Sequence, residues 1–131
     1  MKKKISNREI LEKSALLRQV SNKQLPVKVS YAISKNTGKF ESLLKLYEKE
    51  REKLVDRYAE KDEKGNLKLA SDRATIKFKD ELSEAGWKEG IEALLDIEND
   101  VDIRTFKLDE LSNVQFSAAE LGAIDLMIEE K

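Results

Sequence analysis

A single proline, Pro26, opens a stretch that constrains the whole chain, LPVKVSYAISKNTGKFESLLKLYEKEREKLVDRYAEK from Leu25 to Lys61. Its fixed φ suits a first helical turn, and the next break is the Gly65-Asn66 turn signal. Ile33, Phe40, Tyr47 and Leu54 recur every seven residues with Val29, Leu44 and Tyr58 beside them, which predicts one apolar stripe on a helix about 50 Å long. The glycine of Asn36-Thr37-Gly38 weakens that helix by about 1 kcal/mol against alanine without ending it. A rod of this kind must be covered by something else. Arg51, between Tyr47 and Leu54, is expected to run its stem past the seam or to pair with a charge on the covering helix.

The nearest cover in sequence is a third helix. Ser71 or Asp72 can cap it, Ala74, Phe78, Leu82, Ala85, Ile91, Leu94, Leu95 and Ile97 give it an apolar side, and it is expected to reach Glu98. The two helices then make a long antiparallel helical hairpin. Gly86 and Gly90, four apart, predict either a close neighbour or a break. Before this helix, Lys61 to Asn66 reads as a turn and Leu67 to Leu69 as a stub of strand.

Helices flank the hairpin at both ends. Ser6 and Glu9 form a capping box with Ile5 and Ile10 as a staple, starting a helix that runs to about Val20. Ser117 and Glu120, with Phe116 and Leu121, repeat that grammar before a last helix to about Glu129. Between them the period changes to two: Val101, Ile103 and Thr105 alternate with Asp102 and Arg104, so a strand from Val101 to Leu108 is expected, with Lys2 to Ile5 as a short edge strand. The expected architecture is a single α+β domain over residues 1–131, predominantly α, with a small β-sheet.

Composition narrows function mainly by exclusion. With 131 residues, no histidine and no cysteine, the chain lacks the usual neutral-pH base, thiolate nucleophiles, disulfides and the commonest metal ligands. The alternating acids Asp96, Glu98, Asp100 and Asp102 invite a calcium-loop reading, but the sixth and twelfth positions carry the wrong residues counted from Asp96 or from Asp100. No GxGxxG or GxxxxGK loop is present, and no serine sits in a glycine-rich elbow. The expectation is therefore no enzyme, no cofactor and no metal. No apolar run is long enough to span a bilayer and no secretion signal is recognisable, so a cytoplasmic protein without a membrane partner is expected.

Charge is the informative part, with 39% of residues charged and only 6% aromatic. From Met1 to Lys45, eleven Lys or Arg stand against three acids, leaving fourteen against twenty-three in the remainder. The two halves can neutralise each other on folding, or present a basic face to an acidic partner, or join copies head to tail. Lys28, Lys35 and Lys39 share one side of the second helix and are the candidate partner-binding residues, with Trp87 as either a core residue or a protein-binding anchor. Nucleic acid is disfavoured, because the nearby aromatics Tyr31 and Phe40 are expected in the core rather than free to stack on bases.

The segments Leu25–Asn36, Glu98–Ile103 and Ala118–Glu130 together resemble a family of small proteins of unknown function encoded by phages and prophages of Gram-positive (Firmicutes) bacteria. The similarity covers nearly the whole chain, with the three segments in order, while Glu81 to Gly90 is richer than the family pattern. It implies a phage origin and an α-rich accessory protein, and it brings no catalytic residues. The function expected is a non-enzymatic phage protein that binds and inhibits a bacterial host protein in the host cytoplasm, a defence system blocked in an anti-CRISPR-like way being one class of target. The alternatives are a self-associating virion or tail assembly factor, hence a homo-oligomer, and a nucleic-acid-binding protein.

Overall fold

The capping residues read from the sequence set the starts of the first and last helices. The structure, a computed structural model, describes residues 1–59, 78 and 80–129. Ser6 accepts from the Glu9 N–H at 3.2 Å and opens α1, Asn7–Ser21. Helix α2, Val27–Tyr58, is continuous through Gly38, where a Cβ would meet nothing within 4 Å. The expected turn at Lys61 to Asn66, the strand stub at Leu67 to Leu69 and the caps Ser71 and Asp72 lie outside the described residues.

The chain divides into two units, Met1–Lys45 with Glu98–Lys131, and Leu46–Ile97. In the first, β1 (Lys2–Ser6) pairs antiparallel with β2 (Glu98–Asp102). Lys2 faces Asp102 and Lys4 faces Asp100 across this ladder, so the basic front and the acidic rear of the chain meet here. Opposite-charge pairs of that kind contribute roughly 0.2–1 kcal/mol each. The other face turns Ile5 and Val101 inward. They join Ile10, Leu17 and Val20 of α1, and Val29, Ile33 and Phe40 of α2, in one buried cluster with Ile124 and Met127.

The expected strand from Val101 to Leu108 is shorter and starts earlier, and the reason is a change of partner. β1 supplies pairing as far as Asp102, and the Ile103 N–H donates to the Met1 carbonyl at 2.8 Å. Beyond that the Asn36 side chain serves as the partner: its Oδ1 accepts from the Arg104 N–H at 2.8 Å, and its Nδ2 donates to the Arg104 carbonyl at 2.9 Å. The chain then resumes as β3, Phe106–Lys107.

The C-terminal helix is also shorter than expected. Ser117 and Glu120 form the capping box, at 3.1 and 2.9 Å, and open α4, Ala118–Ile124. A 3-10 turn over Asp125–Met127 follows instead of further α-helix, and Ile128–Glu129 becomes β4, parallel to β3. Ending the helix there lets Ile128 pair with Phe106 while Ile124 and Met127 stay fully buried.

In the second unit α3 spans Glu81–Leu95, not the longer run to Glu98. Its N-cap is Asp80, whose carboxylate accepts from the Ser83 N–H at 2.7 Å. Phe78, expected on the helix, instead forms an antiparallel bridge with Ala59. The hairpin itself is present: Tyr58 lies against Gly86 and Leu54 against Gly90, an antiparallel register. A Cβ at Gly86 would fall 2.7 Å from Tyr58 Cε1, and one at Gly90 would fall 2.8 Å from Leu54 Cδ2. Of the two readings of these glycines, close approach holds and α3 is unbroken. No described helix is long and apolar enough to cross a membrane.

Candidate interaction surface

Helix α2 buries Val29, Ile33, Asn36 and Phe40, and this fixes what its opposite side presents. Val27 is 84% exposed and Tyr31 45% exposed, with Lys28, Lys35 and Lys39 exposed beside them. Tyr31 is therefore not a core residue, in contrast to Phe40, which is. The two positions are nine residues apart, which at about 100° per residue places them on opposite sides of α2. Tyr31 falls on the solvent side of a stripe whose centre line runs through Val29 and Ile33.

Arg104 completes the surface. The Asn36 clasp holds its backbone, and its guanidinium lies 4.8 Å from the centre of the Tyr31 ring. Lys35 Nζ stands 5.5 Å from the same centre. Two cations on one exposed ring give an electropositive patch with an apolar middle, each contact contributing about 0.5–1 kcal/mol at such a site. Lys39 Nζ donates to the Asp102 carbonyl, and the terminal ammonium donates to Asp102 Oδ1 at 3.1 Å. That ammonium, through its hydrogen bond and its charge, holds the Asp102 carboxyl below the usual carboxylate range.

Two shallow grooves flank the patch, of about 440 Å³ beside Val27, Lys28 and Phe106 and about 470 Å³ beside Lys35, Lys39 and Ile103. Arg104 and Thr105 line both. The three lysines singled out from the sequence thus occupy one surface. Arg104 was legible only as the outward residue of a strand, and no local signal announces that Asn36 would aim it at Tyr31.

Trp87 belongs to the second unit and is neither core nor free. Its ring sits 5.8 Å from that of Phe78, tilted by 44°, and the Arg51 guanidinium lies 5.7 Å from its centre. Arg51 therefore meets the covering helix through an aromatic face.

A further ionisable group is structural. Glu120 is 7% exposed and pairs with Lys23 Nζ at 3.3 Å, while Lys23 also lies 5.5 Å from the Phe116 ring centre. The Ser117 N–H, chiefly, and Lys23 hold the Glu120 carboxyl below its ordinary range. Glu98, Asp100 and Asp102 of the rejected calcium loop lie on β2, and among the described residues no three acids converge on a point that could hold a metal ion.

No protein-family model matches this chain, and neither a curated protein nor a solved structure matches it.

Proposed function

We propose that this chain is a non-enzymatic phage accessory protein that binds and inhibits a bacterial host protein, using the Tyr31 surface against an acidic patch on that partner. The observation that carries the reading is the exposed Tyr31 ring held between Arg104 and Lys35, with Lys28 and Val27 alongside. Aromatic and arginine side chains at the centre of a surface are what strong protein-binding sites are made of, and the surrounding lysines favour an acidic partner. The resemblance to phage and prophage proteins supplies the setting, the host cytoplasm, where a defence protein is one class of target.

The same geometry speaks against nucleic acid. A base would have to displace Arg104 or Lys35 to stack on Tyr31, whereas a carboxylate can pair with either cation where it stands. Affinity capture from a Gram-positive host lysate tests the proposal. The wild-type protein is expected to retain one host protein at low salt and to inhibit its activity when the two are purified, and Tyr31→Ala with Arg104→Glu is expected to lose both. Retention that is indifferent to these changes overturns the reading, and a steep salt-dependent gel shift with single-stranded DNA replaces it with the nucleic-acid one.

A further inference from the structure

A pocket that the Tyr31 surface does not use lies in the first unit, between α1 and α2, with a volume of about 170 Å³. It is layered by depth. Buried Ile10 and Leu17 of α1 and Phe40 of α2 form its floor, half-buried Ser14 and Thr37 its wall, and exposed Arg18 and Glu41 its mouth. Helical spacing builds those layers: at about 100° per residue, Leu17, Ile10, Ser14 and Arg18 follow one another from core to solvent around α1, as Phe40, Thr37 and Glu41 do around α2.

The polar groups differ in what they have left to offer. Ser14 Oγ donates its proton to the Leu11 carbonyl at 2.9 Å, and Thr37 Oγ1 donates its own to the Ile33 carbonyl at 2.6 Å. Both hydroxyls therefore meet a ligand as acceptors only. Arg18 and Glu41 carry opposite charges on one pocket, yet form no ion pair with each other or with another described residue.

These layers specify a ligand. Glu41 and the two hydroxyl oxygens call for a cationic N–H donor, and Arg18 calls for a carboxylate, which a guanidinium holds with two N–H groups at once. A plain amine leaves Arg18 unused, while a plain carboxylate meets Glu41 and two acceptor oxygens. An ammonium and a carboxylate on the same carbon, with an apolar group beside them, satisfy every layer. The volume of about 170 Å³ is close to the roughly 150 Å³ of an apolar cavity that holds benzene, which suits a branched aliphatic group with its polar head at the mouth.

We infer that the pocket between α1 and α2 binds a free α-amino acid with a branched aliphatic side chain. Its ammonium rests on Glu41, Ser14 and Thr37, its carboxylate on Arg18 and its side chain on Phe40. Tyr31 lies about 120° round α2 from Thr37, so the inference does not rest on the proposed host target.

Titration of the purified protein with L-leucine, followed through amide chemical shifts, tests it without any host component. Saturable shifts are expected at Ser14, Thr37 and Phe40, with a dissociation constant in the micromolar to millimolar range that so few ligand atoms allow. Arg18→Gln and Glu41→Gln, both at exposed positions and so expected to keep the wild-type circular dichroism, should each weaken binding about tenfold or more, the loss of one charge-assisted hydrogen bond. Isocaproate, which lacks the ammonium, and isoamylamine, which lacks the carboxylate, are expected to bind more weakly than leucine. The absence of saturable shifts at millimolar leucine overturns the inference. So does leucine binding that either substitution leaves unchanged or that either analogue matches, and all of these outcomes leave the host-binding proposal standing.

Discussion

The two units of this chain use the same helix in different ways. In Met1–Lys45 with Glu98–Lys131, α2 contributes Val29, Ile33 and Phe40 to a core drawn from β1, α1, β2, β3 and α4, so its stripe is enclosed from several directions. In Leu46–Ile97, four buried apolar residues, Tyr47, Val55, Ala59 and Leu94, appear among the described ones, and α3 leaves Leu82 exposed. The difference teaches that a long amphipathic helix acquires a thick core only where elements distant in sequence return to it. Among the described residues of the second unit, close approach of α3 through Gly86 and Gly90 takes the place of bulk.

The first unit should accordingly show the larger losses. Ile33→Ala, at a site 1% exposed, is expected to destabilise folding by about 2–5 kcal/mol, read as the fall in the urea midpoint, and a smaller loss than for Leu94→Ala would break the contrast. Asn36→Leu comes next. It leaves the Arg104 N–H and carbonyl without partners, and about 1–3 kcal/mol is expected per group left unsatisfied. Hydrogen exchange at the Arg104 amide is expected to accelerate in that variant, since its hydrogen-bond acceptor is gone.

In the second unit, Gly86→Ala forces a methyl group to within 2.7 Å of the Tyr58 ring, and a loss of about 1–3 kcal/mol is expected despite the better helix propensity. Tyr58→Ala in the same chain is expected to remove most of that penalty. Gly38→Ala probes the opposite situation and is expected to stabilise folding by about 0.5–1 kcal/mol, because nothing stands in the way of its Cβ. A gain at Gly86 equal to that at Gly38 would erase the argument from close approach.

The mildest probe is pH. The Glu120 carboxyl lies below its unfolded range, so the unfolded chain binds protons first as pH falls. The stability contributed by this group is present above the ordinary glutamate range and is lost as pH drops through the folded value. Thermal melts between neutral and acidic pH are expected to fall less steeply for Glu120→Gln than for the wild type. An identical slope would show that Ser117 and Lys23 do not favour the ionised form.

Much of the fold could be read from local grammar. The cap at Ser6, the box of Ser117 and Glu120, and the continuity of α2 through Gly38 are all where sequence places them, because each depends on residues within a turn or two. The errors share a cause. Local pattern carries the third helix over Phe78, the strand to Leu108 and the last helix to Glu129, and in each case a distant partner intervenes: Ala59, Asn36 and Phe106 respectively. Of the candidate surface, the three lysines are legible from helical spacing, whereas the apolar pattern puts Tyr31 in the core and marks Arg104 only as an outward strand residue.

The sequence by itself determined a predominantly helical α+β chain, the faces of α2 and the separation of basic front from acidic rear. These follow from periodicity and capping, which act over one or two turns and survive any tertiary arrangement. Only the tertiary structure decided which aromatic stayed outside, what became of Asn36 and how two glycines on α3 were used. An amide that bonds a backbone 68 residues away, or a ring that fills the gap left by a missing side chain, is chosen by geometry that no neighbouring residue encodes.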